Sequence, residues 1–345
     1  MDEQKVALPL GSAAWALVGT TPPITQIKIA AKSVLKGILL ELAGVYDQSV
    51  GAEVQGTEGC VNLIQEVRIN LEGTMRRVFK GPMLFELNRI MNEGAMAQVD
   101  PVVGVAAAKP FSAAFMYPMQ LFDTQPDVEA VQRGGVVTGY TLRDVSSRTL
   151  LDLRNYPGDV YLEIVWNPFN FYASGNTQTL MSATLRATAI VLPSYRRIPM
   201  ASQLHFEAPL QEQVDMTATK VEYATDLLRD GVYSRGLHLR CGTLAATPNV
   251  TATTALTGSL LKGQFKSGPS VSFVDKVPPG TLRNLVAWNH NGIALRAGHV
   301  FIDHSSDKSF GGGTDGNRLA LYQSANDITG TALTTMQIAQ LVARK

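Results

Sequence analysis

The side chains with the clearest capacity for chemistry lie together near residue 300: His290, His299, Asp303, His304 and Asp307. Imidazoles and carboxylates ligate metals. On a strand, His299 and Asp303 share a face, whereas His304 points the other way. The ligand set is therefore split, and His304-Ser305-Ser306-Asp307 reads equally well as a turn. The expectation is no metal, with His299 and Asp303 as the weak candidates.

Other groupings carry no clearer chemistry. Gly311-Gly312-Gly313-Thr314-Asp315-Gly316 is glycine-rich, but it lacks the GK[ST] ending and the strand-to-helix setting of a phosphate loop. It reads as a flexible loop. Arg76, Arg77 and Lys80, and the pair Arg196-Arg197, are small basic clusters of the kind found on solvated strand faces or subunit contacts. Glu41, Glu66, Glu86 and Glu163 are spread along the chain without the pairing that glycoside hydrolysis requires. No serine occupies a G-x-S-x-G elbow, and neither Cys60 nor Cys241 has a catalytic signature. We expect no catalytic residue and no cofactor, and the chain reads as a non-enzyme.

Composition points the same way. The 345 residues suffice for two domains, each with its own core. Thirty Lys and Arg against 29 Asp and Glu leave a net charge of +1. Such a chain has no long-range field to gather phosphates, which argues against non-specific nucleic-acid binding as its main task. Charged residues are 17 % of the chain, below the roughly 25 % of an average soluble protein. With 45 % hydrophobic residues, this suits a surface largely covered by neighbours, and also an ordinary neutral globular protein. Two cysteines do not make a disulfide framework, whether or not they pair, and a reducing site of folding is the simpler reading. Asp2, Glu3 and Lys5 precede no long apolar run, so we expect a soluble chain made in the cytoplasm without a secretory signal.

The elements that would position these groups repeat. Ile64 to Asn70, Gly73 and Met75 to Lys80 lead through Gly81-Pro82 into an amphipathic segment from Met83 to Met91. About half a chain later, Gly263 to Lys266 and Val271 to Val277 lead through Pro278-Pro279-Gly280 into Thr281 to Asn289. The spacing of Met83, Leu84, Leu87, Ile90 and Met91 predicts a helix after a favourable first-turn proline. Elsewhere the pattern has a period of two: Ile38, Leu40, Leu42 in one run, Leu185, Ala187, Ala189, Val191 in another. Further strands are expected at 24–29, 112–122, 136–142, 149–153, 161–166, 203–208, 217–223, 232–241, 293–302, 318–323 and 336–342.

We divide the chain into an arm (1–23), a first domain (24–175) and a second (176–345). The arm carries Trp15 and Leu17, ends at Thr20-Thr21-Pro22-Pro23, and would meet a neighbouring subunit, a lipid surface or its own domain. The boundary falls in the polar, turn-rich stretch 167–180. Many short strands with Gly/Pro turns and one short helix per half indicate an all-β fold. The expected fold class is two tandem eight-stranded antiparallel jelly rolls, a double jelly roll, each with a short helix.

This organisation, with Ile64-Gln65-Glu66-Val67-Arg68-Ile69-Asn70-Leu71-Glu72-Gly73 running into Gly81-Pro82-Met83-Leu84-Phe85-Glu86-Leu87, resembles the double jelly-roll major capsid proteins. Those belong to tailless icosahedral bacteriophages with an internal membrane, and the likeness is to the smaller, PM2-like or FLiP-like members. It covers residues 24–345 in architecture. The resemblance implies a homotrimer forming a pseudo-hexagonal capsomer, in contact with neighbouring capsomers, penton and minor capsid proteins and the internal viral membrane. It implies a virion protein assembled in the host cytoplasm, with no specific nucleic acid bound. The alternative is a viral spike or carbohydrate-binding β-sandwich attachment protein, for which Trp166, Phe169, Phe171 and Tyr172 would supply the aromatic cluster.

Overall fold

The computed structural model describes residues 5–15, 24–48, 54–55, 58–91, 97–100, 108–119, 127–133, 136–143, 150–167, 172–174, 178–200, 208–216, 222–226, 232–243, 259–265, 271–289, 292–296, 298–303, 318–323 and 331–341. In the first half the strands are β1 (Val6–Ala14), β2 (Ile24–Lys28), β3 (Val34–Gln48), β4 (Val54–Gln55), β5 (Ile64–Leu71) and β6 (Thr74–Lys80). Helix α1 (Gly81–Met91) follows, then β7 (Gln98–Val99), β8 (Lys109–Pro118), β9 (Asp127–Arg133), β10 (Val136–Arg143), β11 (Leu151–Asp152), β12 (Val160–Trp166), β13 (Tyr172–Ser174) and β14 (Gln178–Leu192). One sheet has the order β1-β14-β3-β8-β7, and the other β2-β12-β5-β6.

The second half contains β15 (Ala208–Met216), β16 (Glu222–Asp226), β17 (Val232–Thr243), β18 (Ser259–Phe265), β19 (Val271–Val277), helix α2 (Pro279–Asn289), β20 (His299–Asp303), β21 (Arg318–Gln323) and β22 (Thr331–Leu341). Its sheets run β15-β22-β17-β20 and β16-β21-β18-β19. In each half, then, the first, eighth, third and sixth main strands form one sheet, and the second, seventh, fourth and fifth form the other. That order is a jelly roll, and it occurs twice. Each helix fills the same place, the connection from fifth to sixth strand, so the sequence repeat is the fourth strand, the fifth strand and that helix.

Period-two patterning places the core as expected. Ile38, Leu40, Leu42 and Tyr46 of β3, Leu185, Ala187, Ala189 and Val191 of β14, and Phe111, Phe115 and Tyr117 of β8 are all buried. They face Val67, Ile69, Leu162, Ile164 and Trp166 of the opposing sheet in one apolar cluster, which continues into the second roll through Val286, Leu295 and Phe301. Among the described residues no helix is long and apolar enough to cross a membrane.

Two expected boundaries are corrected. Residues 6–15 are not an arm: β1 pairs with β14 from Val6↔Val191 to Ala14↔Thr184, and Trp15 N–H donates to Ala183 O at 2.8 Å. The alternation of Val6, Leu8 and Leu10 is interrupted by Pro9 and Gly11, where the register shifts, and this hides the strand in the sequence. Leu17 lies outside the described residues. Nor does the second domain open at 176. Strand β14 pairs with β3 from Gln178↔Gln48 to Leu192↔Val34 and so closes the first roll. Of the polar stretch 167–180, residues 178–180 already belong to β14, and β13, between the seventh and eighth strands, pairs with β4.

Smaller corrections are local. The expected strand 293–302 begins only at His299, because residues 292–296 bend over α1. The expected strand 149–153 shortens to β11 and turns into a 3-10 helix at Leu153–Asn155, whose Arg154 N–H is capped by the Asp152 side chain. Residues 203–207 and 217–221 lie outside the described residues.

Candidate functional site

The polar side chains converge at the junction of the two rolls. Helix α1 is buried almost all round, including its polar residues Glu86 and Asn88. Burying a polar group is tolerated only with partners. Asn88 Nδ2 donates to Leu84 O (2.8 Å) and Met116 O (2.7 Å), and its Oδ1 accepts from Met116 N–H (2.7 Å), which ties the helix to β8. Glu86 accepts from Arg89 one turn on (3.0 Å) and from Arg296 Nε of the second roll (3.0 Å). Arg296 also lies over the Phe85 ring at 4.9 Å, and its Nη1 donates to Glu58 O at 2.8 Å. Arg89 returns the link by donating to Ala294 O at 3.0 Å.

Glu58 is the centre of a second, deeper cluster. It precedes a 3-10 helix at Gly59–Leu63, and Gly59 adopts a φ of 60°. A Cβ there would lie 2.2 Å from Asp100 Oδ1, which accepts from Cys60 N–H at 2.8 Å. Both carboxylate oxygens of Glu58 accept from Arg240 of β17, at Nε and Nη2. His299 Nε2 of β20 is 3.0 Å from Glu58 Oε1, and His299 Nδ1 is 3.0 Å from His238 Nε2. Burial pushes the Glu58 carboxyl up, but the Arg240 guanidinium and the hydrogen bonds from Arg240 and His299 outweigh it and hold the pKa at about 2. His299 therefore donates to an ionised carboxylate. Burial, then the neighbouring His299, depress His238 well below 6.5, so that ring stays neutral. Its Nδ1 is buried without a hydrogen-bond partner, and its ring meets Phe301 edge to face.

The chemistry of this cluster is cohesion. No nucleophilic side chain terminates the His238–His299–Glu58 series among the described residues. His299, expected as a candidate ligand, has both ring nitrogens within 3.0 Å of protein partners, so it would have to give one up to coordinate an ion. Asp303 sits at the far end of β20, opposite Gly236. Among the described residues no three His, Cys, Asp or Glu side chains group as a metal set. His290, His304, Asp307 and the Gly311–Gly316 loop lie outside the described residues.

The other expected groups disperse. Arg77 donates to Met119 O at 2.6 Å, Lys80 pairs with Glu66, and Arg196 and Arg197 are exposed. Glu163 is buried between Gln26 Nε2 (2.7 Å), Arg68 Nε (2.8 Å) and Asn70 Nδ2 (2.9 Å). Cys60 and Cys241 are buried thiols, and burial pushes the Cys60 thiol up. Trp15 packs against the core of its own roll, with Nε1 donating to Asn167 O at 3.4 Å. Trp166 is fully buried and donates to Thr25 Oγ1 at 3.0 Å. Phe169 and Phe171 lie outside the described residues. Sequence reasoning missed Glu58, His238, Arg240 and Arg296; only His238 and Arg240 carried an advance signal, as ionisable residues within the apolar strand pattern of β17.

No protein-family model matches the sequence, and no curated protein matches it. The fold matches solved structures along its whole length. The STIV MCP, from Sulfolobus Turreted Icosahedral Virus, superposes with a TM-score of 0.64 at 14 % identity, covering 98 % of this chain and 97 % of its own. PBCV-1 VP54 gives 0.54 at 10 % identity, over 100 % and 98 %. The major capsid protein P2 of bacteriophage PM2 gives 0.51 at 11 % identity, over 99 % of both chains. At such identities the likeness establishes the shared fold, two jelly rolls in tandem.

Proposed function

We propose that this chain is the major capsid protein of an icosahedral virus, working by assembly and not by catalysis. The observation that carries the reading is the doubling: two rolls of identical strand order, each with a helix in the same connection, locked by buried ion pairs. One subunit so built offers two equivalent walls, and three subunits fill a six-sided capsomer. Low charge and a neutral balance suit a surface covered by copies of itself. The proteins of like fold that are named major capsid proteins support the same reading. We take residues 6–192 and 208–341 as the two rolls. Neighbouring capsomers, penton and minor capsid proteins and an internal membrane are the partners this role entails. The chain's place is the virion, after assembly in the host cytoplasm.

An attachment protein would present exposed aromatics, whereas Trp166, the largest of the expected cluster, is in the core. Negative-stain images of the concentrated, purified chain test the choice. Six-sided tiles or closed shells are expected; a dispersed monomer that binds glycans on an array would overturn the reading.

A further inference from the structure

The two helices hold equivalent places in the two rolls but have opposite surroundings. Helix α1 is enclosed, because residues 294–296 of the second roll close over it through Ala294 O, Arg296 and the Phe85 contact. Helix α2 buries one side through Leu282 and Val286 and exposes the other: Thr281, Asn284, Leu285 and Trp288, at spacings of i, i+3, i+4 and i+7. That stripe carries no charge. Leu285 is 50 % exposed and Trp288 86 %, the highest value among the exposed large hydrophobic side chains described. Tryptophan on an open helix face is the residue type that most often anchors an interface.

We infer that this face of α2 docks on the first roll of a second copy of the chain, at β7, where Val99 is exposed. The inference rests on the assembly reading above. Its basis is the internal repeat: within one chain, the helix of the first roll is covered by the helix-to-sixth-strand connection of the second roll. Continued from copy to copy, the same contact places the helix of the second roll under the helix-to-sixth-strand connection of the next first roll. That connection carries Val99, 58 % exposed on the short edge strand β7. The two patches lie on different rolls and differ in residues, so the contact is head to tail, and in the six-sided capsomer proposed above it closes into a ring.

Cysteine cross-linking tests this. Val99→Cys and Trp288→Cys are made as separate full-length variants; the native Cys60 and Cys241 are buried and leave the readout clean. Under mild oxidation the mixed variants should link and each variant alone should not. Trp288→Asp should raise the concentration needed for assembly on the order of 30-fold, the effect of losing a hot-spot side chain. Its circular dichroism should stay unchanged, because the side chain is exposed in the single chain. Self-linking of Trp288→Cys would mean a two-fold contact and overturn the inference. So would the absence of mixed links, or an unchanged Trp288→Asp, while the wild type remains oligomeric; in those cases the capsid reading survives. A monomeric wild type would remove both.

Discussion

Glu58 and Arg240 lie 182 residues apart in the chain and meet as a buried, two-pronged ion pair across the junction of the two rolls. With Glu86 and Arg296 beside them, they make the double roll one mechanical unit instead of two beads on a linker.

Removing one member of this pair should be expensive. Glu58→Gln leaves Arg240 buried without its counter-charge, and the expected loss is about 3–5 kcal/mol. The double variant Glu58→Leu with Arg240→Met should lose less than Glu58→Gln alone, since neither charge is then stranded. Chemical denaturation of the three proteins checks the order.

Acid should open the junction in two stages. His238 has a folded pKa depressed below 6.5, so below that pH the unfolded chain binds a proton that the folded chain refuses, and stability falls. Glu58 has a folded pKa of about 2 against an ordinary 4.5. Its contribution is complete above 4.5 and is lost as pH falls toward 2. Melting temperature should be level above about pH 7, decline below 6.5 and fall more steeply below 4.5. His238→Asn should flatten the upper part and leave the lower.

The two helix starts give a controlled comparison. A Cβ on Gly81 would lie 2.2 Å from Ile64 O, whereas one on Gly280 meets nothing within 4 Å. Gly81→Ala should cost roughly 1–3 kcal/mol through overpacking. Gly280→Ala should be neutral or gain up to about 1 kcal/mol by restricting the unfolded chain. Thermal melts of both variants measure the contrast.

The N-terminal strand should prove integral. Deleting residues 1–15 strips β1 from β14, opens a long sheet edge and removes the buried Ala13 and the packed Trp15. We expect a loss of at least about 3 kcal/mol, a fall of roughly 6–12 °C in melting temperature, and aggregation through the exposed edge. An unchanged melt would restore the arm reading.

The repeat made both helices and their flanking strands legible, because Gly-Pro or Pro-Gly punctuation and helical spacing are local signals. So was the alternation that buries Leu40, Leu42, Leu185 and Val191. The first strand was not, since Pro9 and Gly11 break its period where a bulge lets the edge strand bend. The domain boundary was not either, because a polar connection inside a roll has the composition of a linker. The junction was illegible for a third reason: Glu58, His238 and His299 come together only when the sheets close, from positions up to 241 residues apart.

The native mass of the purified full-length chain, measured by light scattering on a sizing column at neutral pH, tests the central claim most directly. The account predicts a stable species at three times the 37.2 kDa of one chain, with larger assemblies at higher concentration. A single species at the mass of one chain, unchanged with concentration, would contradict it.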